Sequence, residues 1–239
     1  MSGFDFSGVD YPQDRRADFQ KISDAIDSLA ARRKTTLVAE GPFARSKLAW
    51  KVATYQEAIL YRVVALGAGT RDAWNARNVL VAFLTTRALV ETIAVFDDFE
   101  RSLLAHAASE DVGAMDALAQ NRTFATRDEQ LLDGHPEILA TGVMTFIDKI
   151  GKRYDLPIRH NYEAMSEVCH PNSAGHHQMF SKTDYTDGTV TFSEIKNLPM
   201  VLDYIRAPLG LLSLFERSMD ELDPAVLKIA EIQHRLHPV

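Results

Sequence analysis

Three polar side chains in the segment 159–177 are spaced so that they could support acid–base chemistry. Tyr162, Ser166 and His170 follow one another at intervals of four residues, so on a helix they would share an arc of about 80°. A histidine titrates near neutral pH and can act as general acid or base, while a serine can act as nucleophile or bind a substrate. The alternative is a polar network that holds helices together without doing chemistry.

A charged pair lies on the most apolar stretch of the chain, Val79–Phe96. Arg87 and Glu91 are four residues apart there, so we expect at least one charge to face inward. In the functional interpretation Glu91 orients His170, and Arg87 holds a carboxylate or phosphate in a bidentate clasp. In the structural alternatives the two charges brace neighbouring helices or lie under a second subunit. The candidate catalytic residues are therefore His170, Glu91 and Ser166, and the candidate ligand-binding residues are Arg87 and Tyr162.

Other chemistry finds little support in the sequence. Histidines 170, 176 and 177 lie close together, but no H-E-x-x-H or C-x-x-C pattern is present, so we expect neither a metal nor a cofactor. The single cysteine, Cys169, is near the predicted end of a helix, where the dipole disfavours a thiolate, so we expect it to be buried and inert. The sequence Gly67-Ala68-Gly69 follows a helix rather than a strand and does not predict a nucleotide site.

The composition bounds the function classes. The 239 residues are 46% hydrophobic and carry a formal charge of −7, which argues against broad binding to nucleic acids. One cysteine allows no internal disulfide, and the N-terminal sequence lacks the features of a signal peptide. Arg87 and Glu91 interrupt the apolar stretch, so we interpret it as a buried helix rather than a membrane span. We expect a cytoplasmic protein with no membrane partner.

The elements that must position these side chains are mainly helical. We predict a single-domain helical bundle of about six to eight helices at residues 13–239, with an irregular N-terminal arm at 1–12. One short β-hairpin is predicted near 179–192, because Asp187-Gly188 suits a tight turn. A largely apolar central helix also leads us to expect a homodimer.

The predicted helix boundaries rest on glycine and proline. One helix is predicted at Ser46–Leu66, ended by Gly67 and Gly69, and the central helix then starts near Thr70 or Asp72 and runs to about His106. Another is predicted from Pro136 to about Tyr154. Leu198–Met219 reads as one helix with a kink at Pro208, and a last helix opens at Asp223-Pro224.

The motifs R-x-x-x-E (Arg87, Glu91) and Y-x-x-x-S-x-x-x-H (Tyr162, Ser166, His170), followed by a D-G hairpin, resemble a bacterial family of helical proteins of unknown function. The resemblance covers about residues 45–215 and implies a helical bundle with a polar central site, without an established activity. That architecture is similar to the HEPN helical domains, many of which are metal-independent ribonucleases with R-x(4–6)-H.

Two such spacings occur here, Arg101 to His106 and Arg153 to His160, which is about the number that chance gives. A ribonuclease interpretation therefore rests on fold analogy. We expect a ligand-binding or interaction module whose partner is an anionic small molecule or RNA. The alternative is a metal-independent hydrolase, most plausibly a HEPN-like ribonuclease.

Overall fold

The computed structural model describes residues 3–194 and 197–236. This part of the chain contains ten α-helices and one two-stranded antiparallel hairpin, so the mainly α class and the hairpin are confirmed. The helix number exceeds the predicted six to eight, and two of the ten are single turns of four residues, too short to produce a helical hydrophobic period. The helices are α1 Gln13–Arg32, α2 Pro42–Arg45, α3 Lys47–Asn75, α4 Val79–Ala108, α5 Val112–Phe124, α6 Glu129–Leu132, α7 Val143–Tyr154, α8 Ile158–Cys169, α9 Leu198–Leu209 and α10 Leu212–Leu236.

Helix α4 forms the centre of the bundle. It packs against α3, α5, α7, α8, α9 and α10, and its side chains Leu89, Ile93, Phe96 and Phe99 are at most 1% exposed. Such burial on several sides is what a helix that is apolar nearly all round requires. One connected cluster of buried apolar side chains extends from Phe4 in the N-terminal arm to helix α10.

The boundary between α3 and α4 lies later than the glycines predict. Helix α3 continues through Gly67 and Gly69 to Asn75. A Cβ at Gly67 would lie 3.1 Å from Ile26 Cγ1 of α1, so this glycine allows a close helix contact rather than ending its helix. The chain instead turns at Arg77, which has a positive φ of 60°. The Asn78 side chain then accepts a hydrogen bond from the amide of Val81 and caps α4.

Two proline-based predictions near the C-terminus are wrong in position. The predicted single helix over 198–219 is divided at Gly210 into α9 and α10, just after Pro208. Conversely, Pro224 does not open a helix but lies inside α10. The apolar side chains before and after it, Leu222 and Val226, are buried in the core. Their packing on both sides keeps the helix continuous although proline removes one backbone hydrogen bond.

The segment from Pro136 to Phe192 contains helix α8 and the elements on either side of it in the chain. Pro136 begins only a 3-10 turn of three residues, and α7 starts at Val143, so the predicted long helix is wrong at its start. Helix α8 is followed by a π-helical turn, Ser173–Gln178. Strands β1 (Ser181–Asp184) and β2 (Thr189–Phe192) then pair antiparallel, with Ser181 opposite Phe192.

Residues 3–12 lack regular secondary structure. They are nevertheless packed, because Phe4, Val9 and Tyr11 are buried and the rings of Phe4 and Phe19 are 4.7 Å apart. By length and composition alone, α4 and the stretch Leu198–Leu236 are apolar enough to cross a membrane. More than half of the most apolar window in α4 is buried inside the protein, and core helices of soluble proteins pass the same test.

Candidate functional site

Three of the five predicted site residues meet in the seam between α4 and α8. The Tyr162 hydroxyl donates a 2.7 Å hydrogen bond to Oε1 of Glu91. Arg87 donates to the same hydroxyl from Nε and Nη2, at 3.2 and 3.1 Å, and its Nε lies 3.3 Å from Glu91 Oε1. The Arg87 guanidinium also lies over the Tyr162 ring, 5.3 Å from its centre, a distance that allows a cation–π attraction.

The sequence explains why these groups meet. Arg87 and Glu91 are one helical turn apart on α4, so their side chains are neighbours. On α8, Ile158, Tyr162 and Met165 form the buried face, and the phenol ring of Tyr162 extends from that face to the seam. The side chains of Arg87 and Glu91 remain 26% and 29% exposed, so the pair lies at the edge of the core and not inside it.

Ser166 and Cys169 continue this row toward the C-terminal end of α8. The Ser166 Oγ is buried and has no hydrogen-bond partner among the described residues. Burial raises the pKa of the Cys169 thiol, and the positive charge of Arg87 partly opposes this. Arg87 therefore lies at Tyr162 and acts on the Cys169 thiol through its charge, and Ser166 lies between those two positions on the helix.

His170 is not joined to this cluster. Helix α8 ends at Cys169, and His170 is its exposed C-cap residue with an extended backbone, φ −84° and ψ 149°. Within the described chain, the carboxylate of Glu91 is bonded to Tyr162 and paired with Arg87, and no hydrogen bond joins it to His170. The structure thus brings Arg87, Glu91 and Tyr162 into contact, places Ser166 beside them and leaves His170 at the surface.

A cavity of about 310 Å³ lies farther along the same seam. Helix α4 contributes Val79 and Phe83 to its wall, and α8 contributes Ala164 and Val168. Phe83 is one helical turn, about 6 Å along the axis, from Arg87, and Val168 is adjacent to Cys169. The remaining wall comes from the π-helical turn and its flank, residues 194 and 197, and helix α9: Ala174, Gln178, Met179, Glu194, Asn197, Met200, Val201 and Tyr204.

The sequence predictions did not include this cavity. Its wall is mostly apolar, and apolar residues at helical spacing are indistinguishable from an ordinary core until the helices are assembled. The π-helical turn that closes one side is equally hard to foresee. It requires glycine at position 175, because a Cβ there would overlap the carbonyl oxygen of His170 and lie 2.7 Å from that of Val168.

A network of charged groups on the C-terminal half of α4 was also missed. Asp97, Asp98 and Glu100 are at most 4% exposed. Asp98 accepts hydrogen bonds from Arg122 and Lys149, at 2.9 and 2.7 Å. The partners of Asp97 are Arg153 and the Tyr154 hydroxyl. Three acids within four residues, directly after an apolar stretch, were a visible signal, but the cationic partners of Asp97 and Asp98 come from two other helices, α5 and α7.

Metal chemistry finds no cluster to support it. Within residues 3–194 and 197–236, no group of three or more His, Cys, Asp or Glu side chains is arranged to hold an ion.

Comparison with known proteins found no match to this chain among family models, curated proteins or solved structures.

Proposed function

We propose that this protein is a binding module for a small molecule that has an apolar body and an anionic group. The apolar body occupies the cavity between α4, α8 and α9, and Arg87 binds the anionic group. The observation that carries the proposal is the position of Arg87. Its guanidinium contacts Tyr162 and acts on the Cys169 thiol through its charge. Two wall residues of the cavity are close to these groups in sequence, because Phe83 lies one turn before Arg87 on α4 and Val168 directly precedes Cys169.

The chemistry of the seam suits such a ligand. Ligand sites are usually concave and mostly apolar, with a few polar groups that fix orientation. Tyr162 and Glu91 hold Arg87 through Nε and Nη2, and the hydrogen bonds of Arg87 within the described residues do not use Nη1. This outer edge of the guanidinium remains for a carboxylate or phosphate. The buried Ser166 Oγ offers one further donor without a competing partner.

The bonding of Glu91 favours binding over hydrolysis. A general base needs an orienting partner within hydrogen-bond reach. Glu91 was the candidate partner for His170, but it already accepts from Tyr162 and faces Arg87. The alternative function, a HEPN-like ribonuclease, would need this carboxylate to leave both groups.

The proposal extends to partners and location. We propose a cytoplasmic homodimer without a membrane partner, distantly related to the bacterial helical family and to HEPN domains. Support for the dimer comes from Val81 and Leu84 of α4, which are 37% and 42% exposed on the most apolar helix. Support for the relationship comes from the motif residues Arg87, Glu91 and Tyr162, which meet at one seam.

Native mass spectrometry of the protein incubated with a mixture of straight-chain carboxylates tests the proposed function. We expect one carboxylate per chain in the wild type and none in Arg87→Met. Arg159→Met is the matched control, because Arg159 also pairs with a glutamate one turn away, Glu163 at 2.8 Å, but lies in the first turn of α8, at the opposite end of that helix from the wall residue Val168. A wild type that retains no carboxylate, or retention in Arg87→Met, contradicts the proposal.

A further inference from the structure

Two arginines from different helices converge on one tyrosine hydroxyl at a distance from the α4–α8 seam. Arg217 of α10 donates a 2.7 Å hydrogen bond from Nη2 to the Tyr154 hydroxyl. Nη2 of Arg101, from α4, lies 3.5 Å from the same oxygen. Their side chains are 45% and 39% exposed, so both arginines lie at the protein surface.

Arg101 is poorly satisfied by the protein. Its contacts are the long one to Tyr154, a 3.5 Å separation between Nε and Glu100 Oε2, and a 3.9 Å separation between Nη1 and Glu221 Oε2. The Nε is buried and has no hydrogen-bond partner within the described residues. A guanidinium carries five N–H donors in a fixed plane, so most of the hydrogen-bonding capacity of Arg101 is unused by its neighbours.

The carboxylates near Tyr154 already have basic partners. Asp97 and Asp98 are each bonded to basic groups of their own, and Arg217 and Arg101 share Glu221, at 3.6 and 3.9 Å. The groups that these contacts join around Tyr154 are three cationic and three carboxyl side chains: Arg101, Arg153 and Arg217 with Asp97, Glu100 and Glu221.

Glu100 carries less than its full negative charge in this group. Its side chain is fully buried, and neither oxygen has a hydrogen-bond partner in the described structure. Burial raises the pKa of Glu100 to about 7, Arg101 lowers it only in part, and Glu221 and Asp97 raise it further. At neutral pH much of this carboxyl is therefore protonated, which removes a negative charge from beside Arg101.

We propose that Arg101, Arg217 and the Tyr154 hydroxyl form a binding site for a phosphate group. Two guanidinium groups supply charge-assisted hydrogen bonds to the oxygens of a tetrahedral anion, the arrangement for which arginine is suited. The Tyr154 hydroxyl accepts from both guanidinium groups and so orients them, while its own proton is donated to Asp97 at 2.9 Å. Glu221 is the one carboxylate that competes with the phosphate for both arginines.

Calorimetric titration with inorganic phosphate tests the site, with chloride at equal ionic strength as the reference. We expect saturable binding to the wild type and affinity at least about 10-fold weaker in Arg101→Gln and in Arg217→Gln. Arg32→Gln is the matched control, because Arg32 pairs with Asp220 and Asp223 of the same helix α10 and should leave the affinity unchanged. Circular dichroism and the thermal midpoint verify that each variant is folded.

A variant that binds phosphate more tightly than the wild type cannot be explained by damage to the fold. Glu221→Gln removes the competing carboxylate, so it should bind phosphate more tightly than the wild type. A parallel titration with phenyl phosphate distinguishes the source: tighter binding than inorganic phosphate assigns the site to a phosphorylated small molecule, and equal or weaker binding assigns it to free phosphate. The proposal is overturned if the wild type shows no saturable binding, if Arg32→Gln loses as much affinity as Arg217→Gln, or if Glu221→Gln binds more weakly.

Discussion

The Tyr162 hydroxyl bridges two charges of opposite sign, because it donates to Glu91 at 2.7 Å and accepts from Arg87 at 3.1 Å. This contact joins α8 to α4 at the edge of the core. It also fixes one side of the Arg87 guanidinium while the other side faces the last turn of α8. The same tyrosine thus has a structural role in the bundle and a positioning role for the arginine.

Replacing Tyr162 with phenylalanine should expose the structural part of this role. The change leaves Glu91 without its neutral donor and removes two contacts of Arg87, so we expect a loss of about 1 to 2 kcal/mol in the free energy of unfolding. Urea denaturation measures it. Tyr185→Phe is the control, since Tyr185 is 91% exposed. If both substitutions lower the free energy of unfolding equally, the Tyr162 hydroxyl does not stabilise the contact between α4 and α8.

The reactivity of Cys169 reports on the position of Arg87. Burial raises the pKa of this thiol and Arg87 partly offsets the rise. The pKa should therefore lie above the ordinary value for cysteine, about 8.5. We expect alkylation by iodoacetamide to be slower than in the urea-unfolded chain, and slower still in Arg87→Met, because the stabilising cation is lost. The rate as a function of pH measures both effects. An unchanged rate in Arg87→Met would place the guanidinium away from the thiol.

Glu100 should make stability depend on pH in a defined direction. Its pKa is about 7 in the folded chain and about 4.3 in an unfolded one. Between these values the folded state holds a proton that the unfolded state has released, so the free energy of unfolding falls as the pH rises and is lowest above about pH 7.

Glu100→Gln tests this pH dependence. It should remove the fall and stabilise the protein by about 1 to 3 kcal/mol above pH 7, where an ionised, unsatisfied carboxylate is avoided. Urea unfolding across the range from about pH 5 to pH 8 is the measurement. The exposed Glu231 of α10 provides the control Glu231→Gln. If Glu100→Gln and wild type have parallel stability profiles, Glu100 does not hold the proton.

Gly175 should be essential for the wall of the cavity. A side chain there would collide with the carbonyl oxygens of His170 and Val168, so Gly175→Ala should cost more than about 1 kcal/mol and displace the π-helical turn. Gly113→Ala in α5 is the control, because its Cβ would have only an ordinary contact at 3.6 Å. Thermal unfolding measures the difference, and the prediction is wrong if both variants unfold at the same temperature.

The hydrophobic period was enough to find the central helix, and the Asp-Gly turn was enough to find the hairpin. Boundaries marked by glycine or proline were less secure, because the meaning of such a residue depends on its neighbours in space. Gly67 allows close contact with Ile26 of α1. Pro224 lies inside α10 because the buried side chains of Leu222 and Val226 hold the helix together on either side of it. Neither contact is visible in a single sequence.

The candidate site was predicted in part for the same reason. The four-residue spacings brought out Arg87, Glu91 and Tyr162, since each pattern reports which residues share a face. The pattern was extended to His170 on the assumption that α8 continues, whereas the helix ends one residue earlier. The cavity and the charged network depend on contacts between helices far apart in the chain, and local spacing carries no information about those contacts.

The most direct test of the proposed function is a calorimetric comparison of octanoate with 1-octanol, which share an apolar chain but differ in charge. We expect one octanoate to bind per chain, and to bind more tightly than octanol. This preference should be lost in Arg87→Met and kept in Arg159→Met. Equal affinity for the two ligands in the wild type, or a preference that survives in Arg87→Met, would contradict the assignment of Arg87 as the anion-binding group.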